Sequence, residues 1–205
     1  MTFNFIIKCI INFQKIIFIF LIINACNNSS KNYVDDTEQL RAKKIAEFMD
    51  PSTSPLDAEE LKTFKGVSFY PVDASYKVKA TLSKIAGAPL IDMPHTLNRT
   101  YKYQKFGEVN FTLNGKKFTL PVYTNDELKK DSSLFFSFTD LTNGKETYGG
   151  GKYIDLKYDG VANQIELDFN LSYFPYCAYS HRYSCPIVPK ENHLDIEVTA
   201  GEKYK

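Results

Sequence analysis

The chain has 205 residues, is 43% hydrophobic and 24% charged, and carries a formal net charge of +1 at pH 7. So even a balance lacks the clustered basic surface that nucleic-acid binding needs, and no nucleic-acid partner is expected. The length is enough for one domain with a full hydrophobic core.

Residues 1–25 read MTFNFIIKCIINFQKIIFIFLIINA, with Lys8 and Lys15 as the only charges. The unbroken apolar run is IIFIFLII, residues 16–23, well short of the ~20 residues that cross a bilayer. A basic start, a short apolar core and a small residue at Ala25 make a secretory signal peptide. Ile23-Asn24-Ala25-Cys26 resembles the lipobox of bacterial lipoproteins. The resemblance implies cleavage before Cys26 and attachment of diacylglycerol and palmitate-type acyl chains to that residue. A membrane is then a partner through the lipid anchor, since each buried CH₂ adds ~0.8 kcal/mol. The expected address is the bacterial cell envelope, at the outer membrane, with the domain outside the cytoplasm. Residues 26–33 are a polar tether, because NNSSKN is too polar to pack. Cleavage removes Lys8, Lys15 and no acid, which turns the formal charge to −1. It also removes Cys9, leaving Cys177 and Cys185 as the free pair.

A mainly β domain over residues 34–205 is expected behind two short N-terminal helices within 34–65. The first is VDDTEQLRAKKIAEFMD, residues 34–50, capped by Asp35, Asp36 and Thr37 and ended by Pro51. In the second, Ser54 caps, Pro55 takes the first helical position and Gly66 supplies the stop. Beyond Gly66 the hydrophobic period becomes two, with Tyr76, Val78, Ala80 and Leu82 on one face. RTYKYQKF and EVNFTL flank Gly107, and EVNFTL and KKFTLPVY flank Asn114-Gly115, a hairpin dipeptide. SLFFSF, residues 133–138, reads as a buried strand. YIDLKY and VANQIELDFN lie either side of Asp159-Gly160, a second predicted hairpin, and HLDIEVTA, residues 193–200, reads as a last strand. Strands at this spacing predict a single antiparallel β-barrel or sandwich. The helices should cover one end or an open edge of it.

Two stretches escape this alternation. FTDLTNGKETYGGGKY, residues 138–153, crowds Asp140, Thr142, Lys145, Glu146, Thr147, Tyr148 and Lys152 around three glycines. Glycines allow close backbone approach, and successive N–H groups in such a turn can cradle an anion. The phosphate-loop pattern GxxxxGK[ST] is absent and no cofactor is called for. YFPYCAYSHRYSCPIVP, residues 173–189, holds four tyrosines with Cys177, His181 and Cys185 spaced four apart. Pro175 and Pro186 argue against one helix carrying all three, and a fourth ligand is lacking, so a zinc site is set aside. Cys177 and His181 would make a nucleophile and base if brought together. In an oxidising compartment a Cys177–Cys185 disulfide is the simpler expectation, worth about 2.5 kcal/mol for so short a loop. Just upstream, Asp168 and Asn170 share a strand face opposite Leu167 and Phe169, so they are expected in solvent or a cleft.

FTDLTNGKETYGGGKY, LDFN, PYCAYSHRYSCP and VTAGEK, with SPLDAEELKTFKGVSFYPVD before them, resemble a family of bacterial exported and lipoprotein-type domains. That family carries only a domain-of-unknown-function label. Phe174 stands where it often places Asn. The resemblance brings no activity and implies that both loops belong to one domain. If they meet, a pocket lined by Asp140, Thr147, Tyr148, Lys152, Asn170, Tyr176 and Tyr179 is the natural site.

The leading expectation is an envelope binding module for an unidentified small or polymeric ligand, polar or aromatic-stackable. The alternatives are a hydrolase-type enzyme and a structural or accessory lipoprotein. The enzyme would use Cys177 with His181, or an acid pair drawn from Asp140, Glu146 and Asp168.

Overall fold

The computed structural model describes residues 31–204. The predicted signal peptide, the lipidation site Cys26 and residues 26–30 of the predicted tether lie outside the described residues, while residues 31–33, expected in the tether, are already helical. Helix α1 spans residues 31–49, beginning earlier than its acidic cap predicts. The reason is tertiary. Tyr33 in the first turn donates its hydroxyl to both oxygens of Asp168 at 2.9 Å, and Thr37 back-bonds to the Tyr33 carbonyl at 2.8 Å.

Helix α2 is Ala58–Thr63, and its cap is Asp57 rather than Ser54. Asp57 accepts from the N–H of Glu59 and Glu60 while Glu60 reaches back to the Asp57 N–H, a reciprocal box that satisfies otherwise orphaned donors. Ser54 is spent elsewhere, bonding the Phe48 carbonyl at 2.7 Å where α1 ends.

Nine strands follow: β1 (Ser68–Phe69), β2 (Lys77–Lys84), β3 (Leu90–His95), β4 (Arg99–Leu113), β5 (Lys116–Thr124), β6 (Ser133–Phe138), β7 (Lys152–Lys157), β8 (Gln164–Asp168) and β9 (Glu202–Lys203). A short helix, α3 (Asp126–Lys130), joins β5 to β6. β1 pairs with β9, while the main sheet runs β7-β6-β5-β4-β2-β8 with β3 on the first half of β4. All of its pairings are antiparallel, and the sheet curls into a nearly closed barrel. The predicted mainly β fold behind N-terminal helices is the one found.

Asn114 and Gly115 turn β4 into β5 with φ of 49° and 77°, the left-handed pair that a tight hairpin demands. RTYKYQKF and EVNFTL are one long β4 with a bulge between Lys105 and Gly107. Asp159-Gly160 behaves differently from the hairpin expected of it. The turn exists, since Asp159 accepts from the N–H of Val161 and Ala162 at 2.9 Å. However, β7 pairs with β6 and β8 pairs with β2, so the turn spans the barrel's seam instead of a ladder. HLDIEVTA forms no named strand. Its residues pack inward, with Leu194, Val198 and Ala200 fully buried, and the Val198 and Ala200 carbonyls are taken by a lysine side chain.

The barrel is filled by the inward set of each strand. Val109, Phe111 and Leu113 of β4 meet Leu82, Leu120, Val122, Phe136, Phe138 and Leu167. Every residue of β6 is buried, because its other face carries a second cluster with Met93, Tyr103, Tyr123 and Tyr153. Helix α1 lies over the seam, where Tyr33, Thr37 and Leu40 face Ile154, Leu156 and Ile165 across a cleft of about 720 Å³. The predicted helical cover of an open edge is thus present.

Candidate functional site

The glycine-rich connection between β6 and β7 is built inward. Asp140 follows the end of β6 and is 3% exposed. It accepts from the Thr142 N–H at 2.8 Å, and Thr142 and Thr147 join hydroxyls at 2.8 Å. Lys152, 0% exposed, lies 3.5 Å from Asp140 and donates to the carbonyls of Val198 and Ala200 at 3.0 and 3.1 Å. Burial draws the Lys152 ammonium below its usual range, and Asp140 opposes that shift. Gly151 has a φ of 89°, and a Cβ there would lie 2.5 Å from the Phe138 carbonyl oxygen. This glycine serves close packing rather than an anion cradle.

Asn170 is also interior, contrary to the expectation of a solvent or cleft face, whereas Asp168, though largely buried, borders the cleft beneath α1 as expected. The strand ends at Asp168, and Phe169–Leu171 form a 3₁₀ turn beneath α1. Asn170 is fully buried; its amide donates to Tyr33 Oη at 2.9 Å and to the Asp73 carbonyl at 2.8 Å. Arg41 of α1 donates to the carbonyls of Tyr70 and Asn170 at 2.9 and 3.0 Å. These contacts latch α1 to the barrel.

A third buried group escaped notice in the sequence. Glu202, in β9, is 0% exposed. It accepts from the Phe174 N–H and the Tyr179 hydroxyl, each at 2.6 Å, and Lys44 Nζ lies 2.7 Å from its other oxygen. Burial and this carboxylate push the Tyr179 phenol up. The signal for Glu202 lay in AGEK, a motif whose glutamate gives no hint that Lys44 of the N-terminal helix would cover it.

The two suspect loops meet: Tyr153 and Tyr173 exchange backbone hydrogen bonds at 2.9 and 3.0 Å, and Tyr148 reaches Cys177. Tyr148 Oη lies 4.0 Å from Cys177 Sγ, and the Tyr148 ring packs against Phe174. The predicted Cys177–Cys185 disulfide is not formed: both residues are thiols. The Cys177 N–H donates to Cys185 Sγ at 3.3 Å. The loop is held without a staple, because its second limb pairs with the end of β3: Thr96 N–H to the Cys185 carbonyl at 2.9 Å, and Ile187 N–H to the Pro94 carbonyl at 2.8 Å. The neighbouring Cys185 thiol, aided by Tyr148, pushes the Cys177 thiol down to about 6, while Cys177 and burial push Cys185 up. Burial first, then Cys177, push Tyr148 up to about 12.

His181 is exposed, and among the described residues no hydrogen bond joins it to Cys177. The carboxylates of the alternative acid pair stand apart. Asp140 faces Lys152, Glu146 accepts from the Tyr70 hydroxyl at 2.9 Å, and Asp168 is held by Tyr33.

An open groove of about 470 Å³ runs between α1 and the tyrosine loop. Lys43, Lys44 and Glu47 of α1 form one wall; Tyr173, Pro175 and Tyr176 form the other, and Tyr153, Asp155 and Cys185 also border it. Tyr176 is 45% exposed. Of the seven candidate binding residues, Tyr176 lines this groove; Asp140, Thr147, Lys152 and Asn170 are interior, and Tyr148 and Tyr179 sit behind the loop.

The solution NMR structure of an uncharacterized protein of Haloarcula marismortui is similar in fold, with a TM-score of 0.65 and 32% sequence identity. The similarity covers 86% of this chain and 97% of that one. No curated protein matches this chain. The family model described as "Protein of unknown function (DUF1684)" matches residues 62–203, from the end of α2 through β9, and the chain belongs to that family.

Proposed function

We infer that this protein is a binding module of the cell envelope, lipid-anchored through Cys26, that takes a polar or aromatic-stackable ligand in the groove between α1 and the tyrosine loop. The single observation behind this reading is the groove's two unlike walls. Lys43, exposed, and Lys44, half-buried against Glu202, stand on one side and the rings of Tyr173 and Tyr176 on the other. Tyrosine gives a flat contact surface and a hydroxyl at low rotamer cost, and a concave site with a few polar groups is the usual form of a ligand pocket. The site therefore keeps one predicted loop, residues 170–186, and exchanges loop 138–153 for helix α1. Binding is favoured over hydrolysis because the nucleophile–base and paired-acid arrangements that hydrolysis needs are not assembled.

The chain has no tryptophan and 14 tyrosines, so its intrinsic fluorescence is that of tyrosine. A panel of sugars, short peptides and aromatic acids, read by thermal shift, tests the reading. A ligand at 100 times its Kd adds ~2.7 kcal/mol, a rise of roughly 5–10 °C for a domain of this size. Tyr176→Ala should abolish the shift and leave the melting temperature of the free protein within about 2 °C. A ligand whose shift survives Tyr176→Ala would place binding elsewhere.

A further inference from the structure

Cys177 and Cys185 are separated by a loop that folds back on itself and brings them side by side. Cys177 sits on the 3₁₀ turn Tyr176–Ala178. Cys185 is fixed to the end of β3: its N–H donates to Thr96 Oγ1 at 2.9 Å, and Ser184 Oγ donates to the Thr96 carbonyl at 2.6 Å. Each sulfur faces a donor, the Cys177 N–H for Cys185 and the Tyr148 hydroxyl for Cys177. Such donors favour thiolate over thiol and hold ligating side chains in place, although the Cys177 sulfur and burial keep Cys185 protonated until an ion displaces its proton. Cys185 borders the open groove, which gives an approach from solvent.

What the loop lacks narrows the chemistry. Its backbone N–H groups are spent: Cys177 on Cys185 Sγ, Ala178 on the Pro175 carbonyl, Tyr179 and Ser180 on the Tyr176 carbonyl. None of these four is left to receive the oxyanion of an acyl transfer. Among the described residues no third His, Cys, Asp or Glu joins the pair. Zinc takes three or four protein ligands, and calcium and magnesium take oxygen. A soft ion content with two sulfurs remains, and soft thiolates select Cu(I).

We propose that Cys177 and Cys185 form a two-sulfur site for a soft monovalent cation, Cu(I) or Ag(I), at the edge of the groove. Both thiols lose their protons and bind one ion, so that two thiols and one M⁺ give a linear bis-thiolate of charge −1 and two H⁺, with no change of oxidation state. The site does not depend on the groove's organic ligand.

The test uses the full chain in detergent, carrying Cys9→Ser and Cys26→Ser so that no other thiol competes. Reduced, oxygen-free protein is titrated with Cu(I) held by a chromogenic chelator. One equivalent should leave the chelator. Cys177→Ser and Cys185→Ser should each weaken binding by more than the ~10–100-fold that loss of an outer partner costs, and Tyr148→Phe should weaken it by ~10-fold. A measurement on the unsubstituted loop guards against misfolded variants. One equivalent of Cu(I) or Ag(I) should shield both Cys177 and Cys185 from iodoacetamide, read by peptide mass spectrometry. The proposal is overturned if the copper stays with the chelator, if only one cysteine is shielded, or if the pair proves to be disulfide-bonded in freshly purified, unreduced protein.

Discussion

Cys177 is the residue whose surroundings most change its chemistry. An isolated thiol titrates near 9.0, whereas the Cys185 thiol beside it brings Cys177 down to about 6. Thiolate is the reactive form, so the rate of alkylation tracks its fraction. In metal-free protein the iodoacetamide rate at Cys177 should show an inflection near pH 6, moving up toward 9 in Cys185→Ala. An unmoved inflection would mean that Cys185 does not tune it. Lys152 makes the opposite case, a charge with no access to solvent. Lys152→Ala leaves Asp140 buried without its cation, which typically costs ~3–5 kcal/mol. Urea unfolding should read that loss, and Lys152→Met with Asp140→Asn should recover part of it. A Lys152→Ala protein of native stability would contradict the buried pair. In the sequence, Lys152 beside three glycines reads as a surface ligand. Nothing local announces that the carbonyls of Val198 and Ala200, in a distant segment, will enclose it.

At the scale of elements, the strongest local signals hold and the weaker ones are overridden by the fold. Asn114-Gly115 makes its hairpin because the left-handed backbone is a property of those two residues alone. SLFFSF is buried on both faces, as its apolar-rich centre with small serines implies. The misplaced cap of α2 is instructive. Ser54-Pro55 and Asp57 both suit a helix start, and the reciprocal bond from Glu60 decides for Asp57. Asp57→Ala should therefore cost ~1 kcal/mol, and Ser54→Ala should act instead through the end of α1. Chemical denaturation of the two variants checks this. Asp159-Gly160 marks a turn, yet pairing across it depends on how far the sheet has curled before β7 and β8 arrive. No dipeptide encodes that. The same holds for the candidate site: tyrosines in a proline-bounded loop stand out in the sequence, while the lysine wall facing them belongs to a helix more than a hundred residues away.

Over the whole molecule, alkaline pH acts through many phenols at once. Burial is the main cause raising Tyr33, Tyr70, Tyr123, Tyr153, Tyr173 and Tyr179, and it brings Tyr148 to about 12. A phenol raised in the folded state stabilises the fold fully below its unfolded value, near 10.0. That contribution is lost as pH rises through the folded value, because only the unfolded chain gives up its proton between the two. Stability should fall from about pH 10 upward, and phenolate absorbance should appear together with the loss of circular dichroism rather than before it. Tyrosines that titrate freely at pH 10 with the fold intact would refute this.

The seam between β7 and β8 gives helix α1 a mechanical role. Residue 31 opens that helix, and Tyr33, two residues on, holds Asp168 at the end of β8. If the chain is tethered at Cys26, a pull on the membrane anchor enters the domain through the first turn of α1. It is resisted by the Tyr33–Asp168–Asn170 bonds before any strand ladder is loaded. The unpaired seam would then lie nearest such a tether, and Tyr33→Phe should lower the force at which α1 detaches while leaving the paired strands intact.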